Sequence, residues 1–118
     1  MIDHLELQTR RPEETAKFYS DVLAPLGYAK KLDAPLGFGA GDAMDLFLVD
    51  GEPSANVHFA FAAATRADVD AAWKAARDGG HALDRSPALM PHIHPNYYAG
   101  FVFDPDGRLV EIVCQSPE

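Results

Sequence analysis

The chain states one pattern twice, and that duplication limits its fold more than any other feature. Residues 2–8 alternate with period 2, Leu5 and Leu7 on one face and His4, Glu6 and Gln8 on the other, as in a half-buried strand. Pro12 then suits a first helical turn, and Glu13 and Glu14 favour the positive end of a helix dipole. Ala16, Tyr19, Val22 and Leu23 recur at helical spacing with Phe18 beside them, and Pro25 and Gly27 close the helix. Short strands are predicted around 28–33, 36–40 and 43–49.

The same order then returns. Residues 56–63 alternate, with Val57, Phe59 and Phe61 against Asn56, His58 and Ala60. Thr65 with Asp68 resembles a capping-box start. The helix that follows carries Val69, Ala72, Trp73 and Ala76 and stops at Gly79-Gly80. Strands are predicted near 81–86, 97–104 and 108–115, the last two joined by the turn Asp104-Pro105-Asp106-Gly107. The expected architecture is α+β: a single domain over 1–118 made of two βαβββ units, about 1–51 and about 55–116. Their mixed, curved sheets would form an open cleft with the helices on the outer face.

Chemistry-bearing residues fall at matching steps. His4 and His58 are each third in the strand that opens a unit, and Asp45 and Glu111 each lie in the strand that ends one. Each acid follows a glycine by four residues, Gly41 and Gly107. The extra length of the second unit falls around Pro87 to Asn96, which reads as a loop. Met44, Leu46 and Leu48, and likewise Val110, Ile112 and Cys114, form apolar faces for the helices to cover. His4, Asp45, His58 and Glu111 are thereby left on the face away from the helices. Two neutral imidazoles and one or two carboxylates suit a divalent first-row metal with positions open to substrate oxygens. Such an ion acts as a Lewis acid. The plainer reading is that one face of an antiparallel sheet meets water and its polar residues need no function; it leaves the duplication of the pattern unexplained.

The remaining composition narrows the partners. A net charge of -8, with ten scattered basic residues, argues against nucleic acid. A lone cysteine, Cys114, excludes an internal disulfide framework. No apolar run reaches the roughly 20 residues of a membrane span, and Met1 leads straight into a strand pattern with no signal-like segment. The expectation is a soluble cytoplasmic protein with 47% hydrophobic residues to build its core.

Two stretches carry a resemblance. IDHLELQTRRPEETAKFYSDVLAPLGY, with FY followed by L-x-x-LGY, looks like the opening strand and helix of the glyoxalase/bleomycin-resistance (vicinal oxygen chelate) superfamily. HPNYYAGFVFDPDGRLVEIVC looks like its closing hairpin, DPDG-x-x-x-E, and resembles glyoxalase-like proteins with HP-x-YY before it. The resemblance implies metal ligands at His4, His58 and Glu111, with Asp45 in fourth place, and manganese, iron, nickel or zinc as the ion. A two-histidine, one-glutamate set resembles extradiol dioxygenases and fosfomycin-resistance thiol transferases; a fourth acid resembles glyoxalase I, where it doubles as the proton-transfer base. Here that residue is Asp45, one methylene shorter. Where the fosfomycin enzymes place a threonine, this chain has Glu6, which would repel a phosphonate. Relatives are commonly homodimers, some building each site from two chains.

Two functions stay open at this point. One is a metal-dependent enzyme of isomerase, lyase or thiol-addition type on a small oxygen-chelating substrate. Asp45 or Glu6 would be its base, and Tyr98 and His94 would orient the substrate. Tyr98 is expected on the cleft face with Gly100 and Val102, Phe101 and Phe103 facing the helix. The other is a metal-free module that sequesters a small molecule, as bleomycin-resistance proteins do with a cationic drug. Cys114 and Trp73 read as core, and the 91–98 loop as a proline-stiffened segment carrying histidines.

Overall fold

The computed structural model describes residues 1–118. The first unit runs β1 (Leu5–Thr9), α1 (Pro12–Leu23), a 3-10 turn (Ala24–Leu26), β2 (Tyr28–Asp33), β3 (Leu36–Ala40) and β4 (Leu46–Asp50). The second runs β5 (His58–Ala62), α2 (Arg66–Asp78), β6 (Ala88–Leu89), β7 (Tyr98–Phe103) and β8 (Leu109–Cys114). The sheet orders are β1-β4-β3-β2 and β5-β8-β7-β6, so both units wind identically. In each, the opening strand pairs parallel with the closing strand and the remaining pairs are antiparallel. No helix is long and apolar enough to cross a membrane.

Each helix buries the stripe its spacing dictates. Thr15, Phe18, Tyr19, Val22 and Leu23 are the buried residues of α1, and Val69, Ala72 and Ala76 those of α2. The alanines leave room for the two helices to pack on each other. Thr65 caps α2 by accepting from the Asp68 N–H at 3.1 Å. At the start of α1, Thr9 Oγ1 accepts from the Arg11 N–H (3.1 Å) and contacts Thr15 Oγ1 (3.0 Å). A single cluster of 16 buried apolar residues draws from both units, from Leu7 and Phe18 to Ile112 and Cys114. Burying each large member stabilises the fold by roughly 1.5–3 kcal/mol. The two units therefore share one core.

A buried polar clamp joins them. Arg108 is 1% exposed; its Nε donates to the Ser54 carbonyl (3.0 Å), Nη1 to Asp104 Oδ2 (2.9 Å) and Nη2 to the Gln8 carbonyl. Tyr19 on α1 donates to the same Asp104 oxygen at 2.7 Å. The other oxygen of Asp104 accepts from the backbone of Asp106 and Arg108, shaping the β7–β8 turn around Gly107, whose φ of 85° suits glycine. Helix α1, the end of β1, the linker and that turn thus meet on one arginine.

Two sequence expectations are corrected. Residues 81–86 do not form a full strand: only the Leu83–Val102 bridge is regular, although Asp84 and Arg85 still exchange backbone bonds with Phe101. Pro87 lacks the N–H needed to continue that ladder. Strand β7 also presents the opposite faces from those expected. Val102 lies in the helix-side core, and Tyr98 donates to Asp70 of α2 at 2.6 Å. Phe101 pairs with Glu111 and faces the other way, with Ala99 and Val113. Both faces of β7 are buried, so its alternation carries no inside–outside signal.

Candidate functional site

Each unit sets a histidine near an acid: His58 contacts Glu111 on the face away from the helices, while His4 and Asp45 meet at a cavity whose Tyr28, Phe59 and Phe61 pack against the helix-side core. In the second unit, β5 and β8 pair in parallel with His58 opposite Leu109, which brings the imidazole over Glu111. His58 Nε2 lies 2.9 Å from Glu111 Oε1, and Nδ1 lies 2.9 Å from the Leu109 carbonyl oxygen. A carbonyl only accepts, so Nδ1 carries a hydrogen, and the close approach of Nε2 to the carboxylate calls for a further proton or a cation between the two. Tyr97 donates to the other oxygen of Glu111. Glu111 is 4% exposed, while the His58 side chain is about half exposed and stacks on Phe101 with ring centroids 6.3 Å apart. Burial, then the hydrogen bond and charge of Glu111, push the Tyr97 hydroxyl up to about 12.

In the first unit His4 and Asp45 sit just before β1 and β4 rather than within them. The Leu5 N–H donates to the Asp45 carbonyl at 2.8 Å, so the parallel pairing begins at the acid. Both residues line one cavity of about 240 Å³ together with Tyr28, Phe59 and Phe61. His4 Nδ1 lies 2.8 Å from Asp3 Oδ1, and its ring meets Phe47 edge-on at 5.7 Å. Tyr28 donates to Asp45 Oδ2 at 3.0 Å, and burial followed by that carboxylate pushes its hydroxyl up to about 12. Asp45 Oδ1 is buried with no hydrogen-bond partner.

The two pairs share one chemical logic. Each imidazole has Nδ1 tied to an oxygen acceptor, which leaves Nε2 as the ligating lone pair, the arrangement that orients histidines toward metals. Each acid has one oxygen held by a tyrosine hydroxyl. Two donor atoms about 2.1 Å from one ion at roughly a right angle stand about 3 Å apart, so the His58–Glu111 separation fits two ligands of a divalent ion. The orphaned Asp45 oxygen, costing about 1–3 kcal/mol if left unmatched, fits a third or fourth. Within one chain, however, no three His, Cys, Asp or Glu side chains gather at a point.

Other expected site residues lie elsewhere. Glu6 is exposed on β1 and lines a different cavity with Gln8, Glu52 and Arg108. His94 is exposed, its Nδ1 accepting from the Asn96 N–H at 3.2 Å. Tyr98 faces α2, and Arg66 lies 5.6 Å from its ring centroid. Three residues at the site were missed by sequence reasoning: Tyr28, Tyr97 and Phe101. The Tyr97-Tyr98 doublet held the one available signal, since neighbouring residues of an extended segment face opposite ways.

Comparison with known proteins identifies the fold and the family. A family model for the glyoxalase/bleomycin resistance protein/dioxygenase superfamily matches residues 1–112. A glyoxalase/bleomycin resistance protein from Albidiferax ferrireducens superposes with a TM-score of 0.80 at 18% identity, covering 97% of this chain and 98% of that one. A family enzyme from Burkholderia phytofirmans gives 0.74 at 15% identity, covering 98% of each chain. A lactoylglutathione lyase from Agrobacterium tumefaciens gives 0.67 at 24% identity, covering 97% and 92%. No individual curated protein matches the sequence. With nearly its whole length matched and both units in place, the chain belongs to the glyoxalase/bleomycin resistance protein/dioxygenase superfamily.

Proposed function

We propose that this chain is a divalent-metal protein of glyoxalase type that acts on a small oxygen-bearing substrate by proton transfer. In this reading it works as a homodimer, each centre taking His4 and Asp45 from one chain and His58 and Glu111 from the other. The observation that carries the reading is the matched pair of imidazoles, each with Nδ1 on an oxygen acceptor and an acid nearby, Glu111 against His58 and Asp45 in the cavity of His4. Separation of the two pairs within a single chain is what calls for the second copy.

Lewis acidity toward substrate oxygens is what a bound ion supplies. The protein residues do the rest. Glu111, held by Tyr97 and buried, keeps its carboxylate fixed under His58. Asp45 is held through Oδ2 by Tyr28, and its Oδ1, when not on the ion, would take the proton from a substrate carbon next to a carbonyl group, whose oxygen takes up the electron pair. Phe59 and Phe61 line the same cavity and limit water there.

Metal analysis of untagged protein tests this reading. About one manganese, iron, nickel or zinc ion per chain, lost in His58→Ala, is expected. Protein that takes up none of the four refutes it. The absence of a three-ligand cluster in one chain also favours a second reading, metal-free sequestration of a small molecule. Saturable binding untouched by chelator is its signature.

A further inference from the structure

We infer that Arg85 and the groove beside it select an anionic substrate, a mainly apolar carboxylic acid whose second oxygen function reaches the His58–Glu111 pair. This deepens the proposed function and rests on it for the reaction, though not for the binding. The groove, about 340 Å³, is lined by Arg85, Ser86, Ala88, Met90, Ala99 and Phe101. Its floor is apolar and firmly packed, with Ala99 and Phe101 only 1% and 4% exposed.

Arg85 is held in place by the backbone. The Asp84 N–H donates to the Phe101 carbonyl (3.0 Å), and the Phe101 N–H donates to the Arg85 carbonyl (2.9 Å). The guanidinium carbon stands 3.8 Å from the Phe101 ring centroid, a close cation–π contact. Nε donates to Asp84 at 3.1 Å, and no other hydrogen bond from the guanidinium to the protein is present. Its terminal nitrogens are therefore free to bind a carboxylate as a fork. The Phe101 ring that carries Arg85 also stacks on His58, its plane inclined by 22° to the imidazole, so one side chain is common to the groove and the His-and-acid pair.

The charges decide the ligand class. One arginine partly neutralised by Asp84 matches a single carboxylate. A phosphate ester, with two charges, would meet only one cation in the groove, itself paired with Asp84, on a chain of net charge -8. A cationic drug would meet that cation head-on. The apolar floor asks for a hydrocarbon or aryl body between the two ends of the molecule.

The test uses 4-phenylbutyrate, 4-phenylbutanol and 4-phenylbutylamine as probes on chelator-treated protein, followed by amide NMR shifts and calorimetry. The acid should bind about tenfold or more tightly than the alcohol, with shifts at Arg85, Ala99 and Phe101, and the amine should not bind. Arg85→Gln should remove that preference, Arg85→Lys should keep part of it, and both should retain the metal content of the parent. Equal binding of acid and alcohol, no binding of the acid at roughly millimolar concentration, or an unchanged preference in Arg85→Gln overturns the inference. Because chelated protein is used, a failed metal reading leaves this outcome untouched, and a failed groove leaves the metal content untouched.

Discussion

Replacing Arg108 with methionine should cost about 4 kcal/mol of stability. The side chain is 2% exposed and its partner Asp104 is 0% exposed, so the pair is not screened by water. Methionine keeps an unbranched apolar stem but no donor. Four acceptors lose a hydrogen bond: Asp104 Oδ2, Asp106 Oδ2 and the carbonyls of Gln8 and Ser54. Removing one partner of a buried pair typically costs about 3–5 kcal/mol. Tyr19 still donates to Asp104, and two backbone N–H groups hold its other oxygen, so the middle of that range applies. For a domain of this size, about 4 kcal/mol corresponds to a fall in Tm of about 15 °C. Urea unfolding followed by the fluorescence of the single tryptophan, Trp73, measures it. The double variant Arg108→Met with Asp104→Asn should lose clearly less than the two single losses added, because the charge of Asp104 is then no longer left without its arginine. A loss below about 1 kcal/mol in the single variant refutes the assignment of Arg108 as the clamp between the units.

Two further predictions follow from the tyrosines. Each of the four donates to a carboxylate: Tyr19 to Asp104, Tyr28 to Asp45, Tyr97 to Glu111 and Tyr98 to Asp70. All four are raised: Tyr19 chiefly by burial, Tyr28 and Tyr97 by burial and their acids to about 12, and Tyr98 chiefly by its bond to Asp70 to about 12. Their folded values exceed the ordinary 10.0, so the stability they contribute is complete below pH 10 and drains away as pH rises toward 12. Phenolate absorbance of metal-free protein should show no step centred near pH 10 before unfolding; such a step would contradict the hydrogen bonds described. Separately, Tyr97→Phe removes the hydroxyl from Glu111 and should weaken metal binding by about 10–100-fold while leaving the fold intact, read by competition with a chromogenic chelator. An unchanged affinity would mean that the hydroxyl does not set the orientation of Glu111.

The duplication was legible because both units repeat the same local signals in the same order, and the identical sheet windings reflect it. Helix α2 begins where Thr65 and Asp68 announce it. Strand β7 was misread because Ala99, Gly100, Phe101 and Val102 are all buried, which erases the polarity of alternation. Alternation also fixes which face a residue takes but not the lateral distance between sheets. His4 with Asp45 and His58 with Glu111 were therefore visible as four groups on one side, without the gap that divides them into pairs. Arg108 was unreadable for a related reason. Beside Asp-Pro-Asp-Gly it looks like an exposed turn residue, and only the long-range approach of Gln8 and Ser54 buries it.

Subunit complementation tests the central claim most directly. His4→Ala and His58→Ala chains are each expected to bind no metal as homodimers. If a centre joins His4 and Asp45 of one chain to His58 and Glu111 of the other, a mixed dimer of the two variants contains one intact set. Unfolding the variants together and refolding them at equal concentration should then restore about one ion for every four chains, since about half of the dimers are mixed. No recovery of metal in the mixture, with the wild type loaded under the same conditions, would contradict a centre shared between chains.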